Sequence, residues 1–147
     1  MTFHQQHTPL KLRAEDQQDL RVMGAYLQDS LIPMTAFYYN KEGKHFSILA
    51  NRFCWEVSPQ LHTGTPLYSR VHSGLHFSHV HHVRHKGIDL KDPTKTVNLL
   101  TIHGDKEGEI HLLFSDQCEI CLHVEKIMCH FHDLHEAWWT HQKPEHP

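Results

Sequence analysis

The sequence predicts an α+β fold: one N-terminal helix packed on a mainly antiparallel, curved sheet or partly closed β-barrel. Three observations carry this. A single stretch has apolar residues at helical spacing, most of the remainder alternates with period two, and two similar turn sequences, Asn40-Lys-Glu-Gly43 and Asp105-Lys-Glu-Gly108, each join strand-like segments. A chain of 147 residues fits one domain and buries a core without disulfides or a structural metal. The expected organisation is a flexible, polar N-terminus over 1–9, one α+β domain over 10–139, and a flexible, polar tail over 140–147.

In chain order, Leu10, Leu12 and Arg13 read as a short strand. Asp16 is a helix N-cap, since its carboxylate can accept a backbone N–H of the first turn. Leu20, Met23, Leu27 and Leu31 follow at helical spacing and predict a helix from about Gln17 to Asp29. Gly24 lies on its apolar side and permits close approach to a sheet. Ala36 to Tyr39 and His45 to Trp55 flank the first turn, whose Gly43 is expected at positive φ. Phe46, Ile48 and Ala50 share a face, and the change of face before Phe53 and Trp55 predicts a bulge near Asn51-Arg52. Ser58 to Pro66 reads as a loop.

From Arg70 to Phe77 the alternation is clean, with Val71, Ser73, Leu75 and Phe77 on one face. It breaks at Ser78-His79, where a bend is expected. Lys91-Asp-Pro93 marks a loop. Val97 to His103 and Glu109 to Phe114 flank the second turn, with Gly108 at positive φ. A tight turn near Asp116-Gln117 leads to Ile120, Leu122 and Val124, then to Ile127, Cys129 and Phe131. Trp138 and Trp139 are expected to cover an edge of the core. The helix should pack on the sheet through Phe46, Ile48, Leu112 and Leu122.

Three stretches, Leu10-Lys-Leu-Arg-Ala-Glu-Asp16, Asn51-Arg-Phe-Cys-Trp-Glu56 and Arg70-Val-His-Ser-Gly-Leu75, resemble a family of small proteins of unknown function found mainly in alphaproteobacteria. The resemblance spans about Leu10 to Trp139. It implies a bacterial, uncharacterised domain and assigns no catalytic residue or cofactor. His76, His79, His81, His82 and His85 depart from the family's look.

The N-terminus lacks the apolar core of a signal peptide, and no apolar stretch has the length of a membrane span, so cytoplasmic residence is expected. The four cysteines should then be reduced thiols. Lysine and arginine are scattered without a basic run, which argues against nucleic acid. The formal charge of −3 counts 18 histidines as neutral, so mild acid should reverse its sign.

The histidines invite a metal reading, because imidazole suits zinc, nickel and copper. On a strand His79 and His81 share a face and could chelate, whereas His72 and His76 lie about 13 Å apart. A polar sheet face enriched in histidine is the simpler reading. Cys118-x-x-Cys121, with Cys129, His130, His132 and His135, has the spacing of half a zinc site. On a strand, however, positions three apart face opposite ways, so Cys118 and Cys121 are expected not to share an ion. The expectation is no resident cofactor, with weak zinc, nickel or copper binding by exposed imidazoles.

For catalysis, Asp133 and Glu136 beside His132 and His135, or His72 with Glu56, could serve acid–base chemistry. No phosphate loop or nucleophile motif accompanies them. Arg52, Trp55 and Arg70 are candidate partner-binding residues, since arginine and tryptophan dominate binding hot spots. The plainer alternative has arginine over core aromatics or paired with Glu56. The resulting reading is a non-enzymatic protein-interaction module with a protein partner, ahead of a histidine-rich divalent-metal buffer or sensor and ahead of a small enzyme.

Overall fold

The structure is a computed structural model and describes residues 9–134 and 136–144. These residues form twelve strands, one α-helix and a short 3-10 helix at Met34–Ala36, with mainly antiparallel pairing. In chain order the strands and the α-helix are β1 (Lys11–Ala14), α1 (Gln17–Leu27), β2 (Leu31–Pro33), β3 (Phe37–Asn40), β4 (His45–Phe53), β5 (Gln60–His62), β6 (Thr65–Phe77), β7 (Val80–Lys86), β8 (Thr96–Gly104), β9 (Glu109–Phe114), β10 (Glu119–Val124), β11 (Cys129–Asp133) and β12 (Trp138–Thr140). The main strand order is β1-β11-β6-β4-β2-β8-β9-β10-β7, so the sheet does not close. The short strands β3, β5 and β12 attach to β4 or β6 off this path. The helix is the second element and begins where expected, with the Asp16 carboxylate accepting the Asp19 N–H at 2.7 Å.

Leu20, Met23, Gly24 and Leu27 form the buried stripe of α1. They join Phe46, Ile48, Leu112 and Leu122 in one core, as the periodicity predicts. The helix lies chiefly against β8. A Cβ on Gly24 would sit 3.4 Å from the Ile102 amide nitrogen, which shows how near helix and strand backbones come.

The two hairpins differ despite their similar turns. After β8, Gly108 takes φ +82°, and the Asp105 N–H reaches the Glu109 carbonyl across a three-residue loop. After β3, Asn40 pairs with His45 around four residues, and the left-handed position moves to Lys44 at φ +60°. Gly43 is therefore not at positive φ; the extra residue shifts the left-handed position one place along the chain, and the Asn40 side chain accepts the Gly43 N–H at 3.0 Å.

Three further expectations change. The β4–β6 ladder runs unbroken from Phe46 opposite Phe77 to Phe53 opposite Arg70, so there is no bulge at Asn51-Arg52. Arg52 keeps to the inner face with Phe46, Ile48 and Ala50 because carboxylates meet it there, and Phe53 is buried on the outer face beside Trp55 and Tyr68. The irregularity falls instead between Leu99 and Thr101 of β8. The segment read as a loop from Ser58 to Pro66 contains β5, turned back on β6 through Thr63 and Gly64, both at positive φ. Trp138 and Trp139, expected only to cover an edge of the core, form β12 with Thr140, paired along β6. The bend at His79 (φ +59°) and the tight turn with Asp116 and Gln117 both left-handed match expectation.

Candidate functional site

Three features could serve function: a buried ionic network, a polar cluster on the outer face, and an apolar cleft at the open edge.

The network centres on Arg52, whose side chain has no exposed surface. Its guanidinium donates twice to Glu56, at 2.8 and 2.9 Å, and twice to Asp133, at 3.2 and 3.0 Å. Asp133 also accepts from the Ser73 hydroxyl at 2.7 Å and the Leu10 N–H at 2.9 Å. Burial opposes ionisation of Asp133, but the hydrogen bonds from Arg52, Leu10 and Ser73 outweigh it and hold the carboxyl below its usual range. Burial likewise opposes the charge on Arg52, and Glu56 and Asp133 more than restore it. The guanidinium lies 5.5 Å from the Phe131 ring centroid. Arg70 is also buried; it donates to the Asn51 carbonyl and side chain and lies over Phe53. Both arginines thus sit over aromatics and against acceptors inside the fold. Trp55 is 37% exposed, and its indole N–H donates to the Gln28 carbonyl at 2.8 Å.

The outer-face cluster follows from strand alternation. Ile110, Leu112 and Phe114 point inward, which turns Glu109 and His111 outward; Ile120, Leu122 and Val124 likewise turn Cys121 outward. Across the sheet His103, His111, Cys121 and Arg84 are register partners in one row. The Cys121 thiol donates to the Glu109 carboxylate, which also receives Arg84. Arg84 additionally approaches the Cys121 sulfur at 3.4 Å. Nε2 of His111 lies 2.8 Å from the Asp105 carboxylate, and its ring stacks on His103 with centroids 4.9 Å apart. Burial and then the adjacent Glu109 push the Cys121 thiol up to about 11. One ligand atom from each of Glu109, His111 and Cys121 lies within 4.8 Å of the others, and Asp105, Glu107 and Glu109 form a second such group.

The apolar cleft, about 220 Å³, is lined by Phe37 and Tyr39 of β3, Phe46 of β4, Val83 and His85 of β7, Ile120 of β10, and Ile88 and Leu90. Among the described residues β3 pairs only with β4, and β7 only with β10. At one end the Val80 N–H donates to the Lys44 carbonyl and the Tyr39 hydroxyl to the Val80 carbonyl, so the two strands are pinned there.

The other sequence candidates are dispersed. His79 occupies the corner before β7, and the exposed His81 lies 3.6 Å from Glu125. Cys118 donates to the Gly87 carbonyl at 3.2 Å, away from the partners of Cys121, so the two thiols diverge as the strand predicts. Cys129 is buried against the Met23 sulfur at 3.5 Å. His132 is half-buried beside Lys11, on the face of β11 opposite Asp133. Asp133 and Glu56 are engaged by Arg52, and His72 packs against Trp138. His135 lies outside the described residues. Arg84, Asp105, Glu109 and His111 were not singled out from sequence; the two-residue spacing Glu109-x-His111 beside Cys121 was the available signal.

These features define an antiparallel α+β domain with a polar cluster on one sheet face and an apolar cleft at the sheet's open edge. The chain belongs to a family of proteins of unknown function, DUF2948, whose family model matches residues 10–146. No curated protein and no solved structure is significantly similar to it. No helix among the described residues is long and apolar enough to cross a membrane.

Proposed function

We propose that the protein is a non-enzymatic interaction module that accepts an extended segment of a partner protein in the seam between β3 and β7. The observation that supports this is the pair of strand edges, without strand partners among the described residues, that border one apolar cleft. Unpaired edges offer N–H and C=O groups to an added strand, and pockets between them read alternate side chains. The lining by Phe37, Phe46, Val83 and Ile88 favours a partner segment with aliphatic or aromatic residues at every second position. The buried Arg52 network ties β4, β6, β11 and the chain before β1 together, so it supports the rigidity of the sheet that presents the seam.

Selection of binders from a random extended-peptide library tests this. Selected peptides should share apolar residues at alternate positions, slow hydrogen exchange of the β7 amides, and lose binding on Val83→Arg. Failure to select binders, or binders that leave β7 unprotected and tolerate Val83→Arg, would overturn the reading.

A further inference from the structure

We infer that Glu109, His111 and Cys121 form a binding site for one divalent transition-metal ion of the zinc class, gated by Arg84. Three ligand atoms of different chemistry, a carboxylate oxygen, an imidazole nitrogen and a thiol sulfur, already lie within 4.8 Å of one another. Mixed sulfur, nitrogen and oxygen donors at three positions, with a fourth left to water, suit zinc or cobalt better than magnesium or calcium. Rigid elements hold all three: Glu109 and His111 stand two apart on one strand face, and Cys121 is the register partner of His111. The Asp105 carboxylate on Nε2 of His111 restrains the ring and leaves Nδ1 as the nitrogen for an ion, since a ligating histidine gives its other ring N–H to a carboxylate.

Without an ion, Arg84 supplies the positive charge. Its guanidinium bonds Glu109 and reaches the Cys121 sulfur, where a cation would sit. Its side chain is 62% exposed, so it can leave for solvent without dismantling the core. On binding, the Cys121 S–H bond breaks, the sulfur keeps the electron pair and bonds the ion, and one proton goes to solvent. The site is distinct from the pair Cys118 and Cys121, because the Cys118 thiol is turned to the Gly87 carbonyl.

Cobalt(II) titration of the full chain tests the assignment, with imidazole present to strip ions held by scattered histidines. A thiolate-to-cobalt charge-transfer band should saturate at one ion per chain and release one proton. Cys121→Ser should abolish the band, and Cys118→Ser should leave it. Asp105→Asn should weaken binding about 10–100-fold. Arg84→Gln should tighten it, which a merely structural ion pair would not do. If Cys121→Ser fails to fold by circular dichroism, His111→Gln takes its place and should shift the band and weaken binding. Absence of a band in the wild-type chain, its persistence in Cys121→Ser, or indifference to both His111→Gln and Arg84→Gln would overturn the inference.

Discussion

Asp133→Ala should be among the most damaging single substitutions in this chain. The Asp133 carboxylate, with no exposed side-chain surface, accepts two hydrogen bonds from Arg52, one from Ser73 and one from the Leu10 backbone. Removing it leaves a buried guanidinium with Glu56 alone, and Glu56 is 26% exposed. Breaking a buried ion pair from one side costs roughly 3–5 kcal/mol, because the remaining charge stays out of water. Replacing both partners is different: Arg52→Met with Asp133→Ala removes both charges, so no unpaired guanidinium stays buried. The double variant should lose less than Asp133→Ala does, with coupling of about 0.5–3 kcal/mol. Urea unfolding at neutral pH, followed by circular dichroism, reads both. The pH dependence has a definite sign. A carboxyl held below its usual range contributes stability above its unfolded value, near pH ~3.9, and loses it as pH falls through the lower folded value. Asp133→Asn should flatten that acid limb. A loss below about 1 kcal/mol for Asp133→Ala, or additivity within about 0.5 kcal/mol, would refute the assignment of Arg52 and Asp133 as a coupled buried pair.

Leu27→Ala should cost about 2–5 kcal/mol, since Leu27 is buried against the sheet; a loss below about 1 kcal/mol in denaturant melts would contradict its place in the core. Lys44→Gly should raise stability by up to about 1 kcal/mol by relieving the left-handed backbone at φ +60°, whereas Gly108→Ala should lower it, and thermal melts that rank the two in the opposite order would refute the turn assignments. His76 is held neutral by burial and then by His45, His130 and His132, and it bridges Ser47 and His45. Because its folded value is lowered, the stability it contributes is present above about pH 6.5 and lost as pH falls through the folded value; His76→Gln should flatten the slope of melting temperature below about pH 6.5, and unchanged slopes would exclude it.

The elements were legible where local pattern and final packing agree. Asp16, the period of Leu20, Met23 and Leu27, and the alternation in β6, β9 and β10 each reappear in the structure because one face of each element meets the core. The short strands β2, β5 and β12 were not legible. Each spans three residues, too few to show a period, and each exists through pairing with a longer strand distant or reversed in sequence. The first hairpin failed differently. Asn40-Lys-Glu-Gly43 and Asp105-Lys-Glu-Gly108 are nearly the same local sequence, yet the flanking register selects four loop residues in one and three in the other. Register belongs to the sheet, and no four-residue window contains it.

Arg52 shows the same limit for the site. By alternation its position is an inner-face position, continuous with Phe46, Ile48 and Ala50. Beyond it the apolar pattern resumes on the other face at Phe53 and Trp55, and that change of face predicts a bulge. The need for a bulge disappears only when Asp133, 81 residues away, is placed beside Arg52. The outer-face cluster was hidden by the same distance. Cys121 pairs with Cys118 by proximity in sequence, whereas its partners Glu109 and Arg84 stand 12 and 37 residues away. Strand parity was nonetheless enough to separate the two cysteines. The apolar cleft follows from parity as well: the residue before and the residue after Arg84 on β7, Val83 and His85, line the cleft while Arg84 lies over Cys121. One edge strand therefore presents its two faces to two different candidate sites, and Val83→Arg and Arg84→Gln, adjacent in sequence, perturb opposite faces of the same strand.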